Sequence, residues 1–327
     1  MTIRSLISAA HSARSLDAAR KLSRPRLFAP AKTQLIALAA AIEAASSPMT
    51  VVTSTGRQAE MLSEQLRQII PDLNVIEFPS WETLPHERLS PAPQTVGRRI
   101  SALQQMQALA KDSPKTLILM SIRAALQPVV AGLEKFPALL IRTGADYLLP
   151  ELTLKLIEYA YERVDLVTRR GEFTVRGGIL DIFPTTAEHA VRLEFFGDTV
   201  EEIREFQVAD QRSLSSKLGE IELFPARELL ITPAVASKAR EMSGEFPGLT
   251  EMLEKIANAI PVAGMESLAS VLTSELVPIT NYLPKFGPVL LMEPEKLEGR
   301  ADSLVQTNEE FLHAAWDAAL DGSSVPI

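Results

Sequence analysis

The chain has 327 residues, 46% hydrophobic and 23% charged, with a formal net charge of −8; at roughly 150 residues per domain this points to two or three globular domains. The negative balance excludes a surface built throughout for nucleic acid, which needs concentrated lysine and arginine. The absence of cysteine excludes disulfides, thiol catalysis and cysteine zinc sites, and no apolar run reaches the roughly 18–20 residues of a bilayer span, so the cytoplasm is the expected location.

The opening MTIRSLISAAHSARSLDAARKL lacks a long apolar core before a cleavage site and reads as a helical lead-in. From Arg26 short apolar runs alternate with amphipathic stretches: RLFAP, a helix near 31–45, MTVVTST, a helix near 56–70 and NVIEFPS. This is the β-α-β-α-β pattern of a parallel sheet wrapped by helices. Met61, Leu62, Leu66, Ile69 and Ile70 mark the expected buried stripe of the second helix, between Gly56 and Pro71. Residues 80–97 are proline-rich and polar and read as a loop. A helix over about 98–110 and the strand TLILMS follow.

After residue 117 the texture changes. A helical piece, LPELTLKLIEYAYE, leads into short strands at 163–168, 172–176, 178–183, 189–196 and 199–207, whose tight turns and alternation imply an antiparallel sheet. From about 206 the rhythm reverts to IELFPARELL, helices through roughly 233–280, and the strand-like PVLLME. The fold class is α/β: a degenerate helicase-like parallel-sheet domain in two segments, 1–117 and 206–327, interrupted by an α/β module with an antiparallel sheet at 118–205.

The first strand-to-helix junction, RLFAPAKTQ, is where a phosphate loop would lie. Against the pattern G-x-x-x-x-G-K-[ST], Lys32 and Thr33 are in place, but Arg26 and Ala31 stand where both glycines belong, and Pro30 removes an amide donor. The matching acidic strand end is VLLMEPE, where Glu293 is followed by Pro294 instead of a second acid. These residues form a degenerate nucleotide site, with no cofactor and no catalytic residue expected. His11, His86, His189 and His313 are scattered without metal-ligand spacing, and no G-x-S-x-G elbow is present. Acidic pairs such as Asp181 with Glu194 read as solvated strand faces.

The stretch RRGEFTVRGGILDIFP, 169–184, is densely charged. From Tyr161 to Glu194, five arginines interleave with six acids, a pattern that suits a protein partner of patterned charge better than a polyanion, or else blunts a sheet edge. Arg192 and Glu194, two apart, share a strand face. Arg176 is expected toward solvent, with Val175 and Ile179 toward a core.

The run YERVDLVTRRGEFTVRGGILDIFP…VRLEFFGDTVEEIREF, with FPSWETLPHERLSP before it and FPARELLIT after it, resembles the family of the excision-repair protein UvrB and the N-terminal UvrB-like region of bacterial transcription-repair coupling factor (Mfd). The resemblance covers nearly the whole chain. It implies that the inserted module docks onto UvrA, with contact positions at Arg163, Arg176, Arg192 and Glu194 and with Phe183 nearby; Thr174 departs from the UvrB pattern, which has another arginine there. The degraded phosphate loop, and a segment 80–97 that offers only Trp81 for stacking on bases, favour the coupling-factor branch. That branch implies an adaptor that brings UvrA to DNA at stalled RNA polymerase. It also implies that the chain is an N-terminal fragment, with polymerase, DNA and motor functions and a C-terminal regulatory domain lying beyond Ile327. Two alternatives stay open: an ATP-dependent DNA-binding subunit of UvrB type, and an intramolecular brake that packs on the C-terminal domain.

Overall fold

A computed structural model of the chain describes residues 29–320 other than 85, 86, 88, 112 and 114, together with Ser5, Ile7 and Ala10. The expected lead-in helix and the RLF of the first strand lie largely or wholly outside the described residues. In chain order come α1 (Ala31–Ala44), β1 (Met49–Thr53), α2 (Gly56–Ile69), β2 (Asn74–Phe78), α3 (Pro93–Ala108), β3 (Thr116–Ser121) and α4 (Ile122–Leu126). Next are β4 (Val129–Val130), β5 (Leu139–Arg142), α5 (Leu149–Glu158), β6 (Glu162–Arg163), β7 (Glu172–Arg176), β8 (Ile179–Ile182), β9 (Ala190–Phe196), β10 (Thr199–Phe206), β11 (Ser213–Lys217) and β12 (Glu220–Leu223). The chain closes with α6 (Pro233–Met242), α7 (Thr250–Ala257), α8 (Ala269–Leu272), β13 (Leu276–Val277), β14 (Val289–Leu291) and α9 (Pro294–Leu320).

Two compact units divide the chain. The first takes Met1–Ser80, Gln105–Gln127 and Ile279–Leu304, and the second takes Trp81–Gln104, Pro128–Pro278 and Val305–Ile327. The first unit holds the parallel sheet, in the order β14-β1-β3-β2. Its central strands β1 and β3 are buried along their whole length, as expected when helices cover both faces of a parallel sheet. Thr55 caps α2 by accepting a hydrogen bond from the Gln58 amide at 3.1 Å, and Ala59, Leu62 and Leu66 turn inward at helical spacing. Met61, expected in that stripe, is half exposed because it falls one residue outside the inward-facing set; Ile70 is buried as expected.

The second unit is built around a six-stranded sheet in the order β11-β10-β9-β8-β7-β6, antiparallel except for the short β6–β7 pair. The expected strand at 163–168 shrinks to Glu162–Arg163, after which the chain turns. One sheet face carries Phe173, Leu180, Ile182, Val191, Leu193, Val200 and Ile203, which pack with Leu152 and Leu156 of α5. Each such fully buried side chain contributes roughly 1.5–3 kcal/mol of transfer free energy. A separate apolar cluster joins α6, α7 and α8 through Val235, Ala239, Leu253, Ile256 and Leu272.

Candidate functional site

With one sheet face spent on the core, strand alternation sends the intervening residues to the other. Cross-strand register places Thr174, Asp181, Arg192, Arg204 and Lys217 in one row over five strands. The neighbouring row holds Arg176, Ile179, Glu194 and Glu202. Charges of both signs thus tile an outward face. Its like-charged neighbours Arg192 and Arg204 are each compensated by an acid.

The candidate arginines have different environments. Arg192 donates two hydrogen bonds to Asp181, Nε to Oδ1 at 2.7 Å and a terminal nitrogen to Oδ2 at 2.9 Å, and its guanidinium lies 5.1 Å from the Phe206 ring centre. Hydrogen bonding to Asp181 raises Arg192 above its ordinary pKa, against the opposing effect of burial. Asp181 is therefore no solvated strand acid, as its sequence context suggested, but a buried one at 4% exposure held by its arginine. Arg176 is exposed and donates a hydrogen bond to the Asp165 carbonyl oxygen. Arg163 is exposed and forms no ion pair among the described residues. Both arginines edge an open depression lined also by Val164, Asp165, Thr174 and Val175. Glu194 is exposed. Phe183 is buried with Val167, Ala190 and Phe206, and presents to solvent not its ring but the Arg170 guanidinium stacked 4.7 Å above it.

A second acid shapes the turn before the hairpin. Glu172 accepts hydrogen bonds from the amides of Thr168 and Arg169, both at 2.8 Å, and from the Arg169 side chain at 3.1 Å. Burial works against its charge, but these donors outweigh it and hold the carboxyl below its ordinary value. Gly171 completes the turn at a φ of +83°, with Pro93 and Ala226 so close that a Cβ would crowd them at 3.3 Å.

Sequence reasoning missed two apolar members of the charged face. Ile179, expected toward the core, is 38% exposed, and Phe196 is 75% exposed. The turn of Gly177 and Gly178 pairs Arg176 with Ile179, and directly paired residues share a face, so Ile179 must lie on the side of Arg176. Phe196 follows Glu194 by two residues and shares its side, while Phe195 packs on the core. The signal was the paired phenylalanines in LEFFGD, of which alternation can bury only one.

The residues expected at a degenerate nucleotide site lie in the first unit. Arg26 and the side chains of Ala31 and Lys32 lie outside the described residues. Pro30 precedes α1 without a side-chain cap, and the Thr33 hydroxyl donates back to the Pro30 carbonyl oxygen at 2.9 Å. Glu293 follows β14 at a φ of +53°. Its carboxylate accepts from Lys296 at 2.5 Å and Gln58 at 3.4 Å, and the Lys296 hydrogen bond holds it below its ordinary pKa. Pro294 opens α9.

Trp81 is anchored within the second unit. Its indole donates to Glu228 Oε1 at 2.8 Å, the same oxygen that accepts from Arg99 Nε at 2.5 Å. The WETLP and PAREL segments meet there. Nearby, Ser90 and Arg227 converge on Glu266 at 2.6 and 2.9 Å. Among the described residues no cluster of three or more His, Cys, Asp or Glu is placed to hold a metal, and no helix is long and apolar enough to cross a membrane.

Comparison with known proteins brings these segments together. Residues 139–229 match the family model described as UvrB interaction domain, a span that contains every candidate contact residue of the charged face. The transcription-repair-coupling factor of Mycobacterium tuberculosis is 42% identical over 312 residues, 91% of this chain and 25% of that protein. That of Bacillus subtilis is 34% identical over 64% of this chain and 17% of its own length, and that of Escherichia coli 27% identical over 79% and 22%. The chain thus spans about a quarter or less of the relatives it matches.

Proposed function

The chain belongs to the transcription-repair-coupling factor family, and we propose on that premise that the charged face of its six-stranded sheet recruits UvrA, making this stretch the adaptor that links the excision machinery to sites of stalled RNA polymerase. The observation that carries the reading is the placement of Arg163 and Arg176. Both are exposed and line one depression at the β6–β7 edge of the sheet, inside the matched span, with Arg176 on the charged face and Arg163 in register with the core-facing Phe173. Neither has a carboxylate partner among the described residues, so both retain their charge for an external acid. Arg192 and Glu194 complete the surface, with Arg192 held in orientation by Asp181.

In this reading the stretch performs no catalysis. Support comes from the proline before α1, the Thr33 hydroxyl turned back onto that proline, and the Glu293 carboxylate neutralised by Lys296. A phosphate cradle needs free amide donors and a carboxylate free for magnesium's water shell. In the same reading, translocation on DNA, polymerase contact and any masking of this face by a C-terminal regulatory domain are assigned to other parts of a longer protein.

Immobilised chain incubated with purified UvrA tests the reading. The expected result is retention by the parent chain and loss in an Arg163→Glu/Arg176→Glu double variant; equal retention by both, or none by the parent, contradicts it.

A further inference from the structure

The face just described contains two side chains that charge complementarity does not explain. Ile179 and Phe196 are large, apolar and exposed at 38% and 75%, yet they stand among charges. Ile179 is flanked in its row by Arg176 on β7 and Glu194 on β9. Phe196 lies next to Glu194 on the same side of β9, with Thr199 across the β10 hairpin. The turns 176–179 and 196–199 fall at the same end of the sheet, since the Phe195 amide donates to the Gly178 carbonyl oxygen at 2.7 Å.

The backbone there is built for close approach. A Cβ on Gly178 would lie 2.9 Å from the Phe195 carbonyl oxygen, so only glycine lets β8 start this near β9. A Cβ at Gly177 or at Gly197 would meet open space, which leaves both turns clear beside the phenyl ring. Around this pair, Asp181 is satisfied by Arg192, and Glu202 by Arg204 and Lys217. The charges without an ion pair among the described residues around this pair are of both signs: they include Arg176 and Glu194 in the row, Asp198 in the turn beside Phe196, and Arg163 and Asp165 at the β6–β7 edge.

We propose that Phe196 and Ile179 form the apolar centre of the docking face, received by an apolar pocket on UvrA, while Arg176, Glu194 and Asp198 form a rim of mixed charge. The proposal rests on the reading of this face as the UvrA surface. Binding energy concentrates in a few desolvated aromatic and aliphatic anchors ringed by polar groups, and a phenyl ring carries little rotamer entropy to lose on docking.

Calorimetric titration of UvrA with the parent chain, Phe196→Ala, Ile179→Ser, Arg176→Glu and Leu154→Ala tests it. Leu154, on α5, is 62% exposed and serves as an apolar control away from the face. The expected result is at least about tenfold weaker binding for Phe196→Ala, a smaller loss for Ile179→Ser, no change for Leu154→Ala, and melting temperatures near the parent's for all. Because Phe196 is exposed, its truncation leaves the core untouched; Ile179→Ser provides a second probe if it does not. Parent-like affinity of folded Phe196→Ala and Ile179→Ser with weakened Arg176→Glu overturns the apolar centre and leaves the adaptor reading standing. Absence of UvrA binding by the parent overturns both. Equal losses at Leu154 and Phe196 also overturn the proposal, as does self-association of the parent that Phe196→Ala abolishes, which would assign the face to a second copy of the chain.

Discussion

Arg192 and Asp181 face each other across β9 and β8 through two hydrogen bonds of 2.7 and 2.9 Å, and the carboxylate so held is almost fully buried. One of the arginines assigned to partner binding is therefore committed first to the fold. A loss of partner binding on changing it confounds docking with stability, which is not so for Arg176.

The first prediction follows directly. Arg192→Ala strands the Asp181 carboxylate and should lower unfolding free energy by about 2 kcal/mol, between the cost of breaking a fully buried pair and that of an exposed one. Urea unfolding measures it. An Asp181→Ala/Arg192→Ala double variant should recover part of the loss, and a parent-like midpoint for Arg192→Ala would show that the pair is not stabilising.

Arg99 and Glu228 carry the same logic further inside, with side chains 0% and 1% exposed. Glu228→Gln removes the carboxylate facing Arg99 and weakens the acceptor of the Trp81 indole. A destabilisation of about 3–5 kcal/mol is expected, the range for breaking a buried pair. Trp81 fluorescence should report the altered environment in the folded variant; a change below about 1 kcal/mol would remove this pair from the account.

Glu172 gives a pH prediction. Its carboxyl is held below the ordinary value of 4.5 in the folded chain, so the unfolded state takes up the proton first as pH falls. The stabilisation is fully present above the unfolded pKa and is lost as pH drops through the lower folded one. The stability difference between parent and Glu172→Gln should be constant from pH 6 to 8 and shrink below about pH 4. A difference that grows on acidification would reverse the sign and refute the assignment.

If the nucleotide site is degenerate as expected, calorimetry with magnesium and ATP should detect no binding at micromolar concentrations. Binding at that level, abolished by Lys32→Ala, would revive the enzymatic alternative.

Local pattern reveals those parts of this fold whose causes are local. The buried strands β1 and β3 are runs of apolar and hydroxyl-bearing residues, and α2 is bracketed by its Thr55 cap and Pro71. Strand β11 went unread because Ser-Leu-Ser-Ser-Lys has neither strong β propensity nor an apolar face; its pairing with β10 makes it a strand. Apolar character alone places Ile179 in the core, whereas the turn register decides its side. The burial of Asp181 was invisible for a related reason: it depends on a partner on the next strand. The charged face was legible in part, since Arg192 and Glu194 stand two apart on β9 and alternation keeps them on one side.

The most direct test of the central claim is the calorimetric affinity of folded Arg176→Glu for UvrA, measured beside its thermal melt. Arg176 is exposed and donates to a backbone oxygen rather than to a carboxylate, so its reversal should leave stability within about 0.5 kcal/mol of the parent. Affinity should fall at least about tenfold, equivalent to about 1.4 kcal/mol. Parent-like affinity in a normally melting Arg176→Glu chain would contradict the assignment of this face to UvrA.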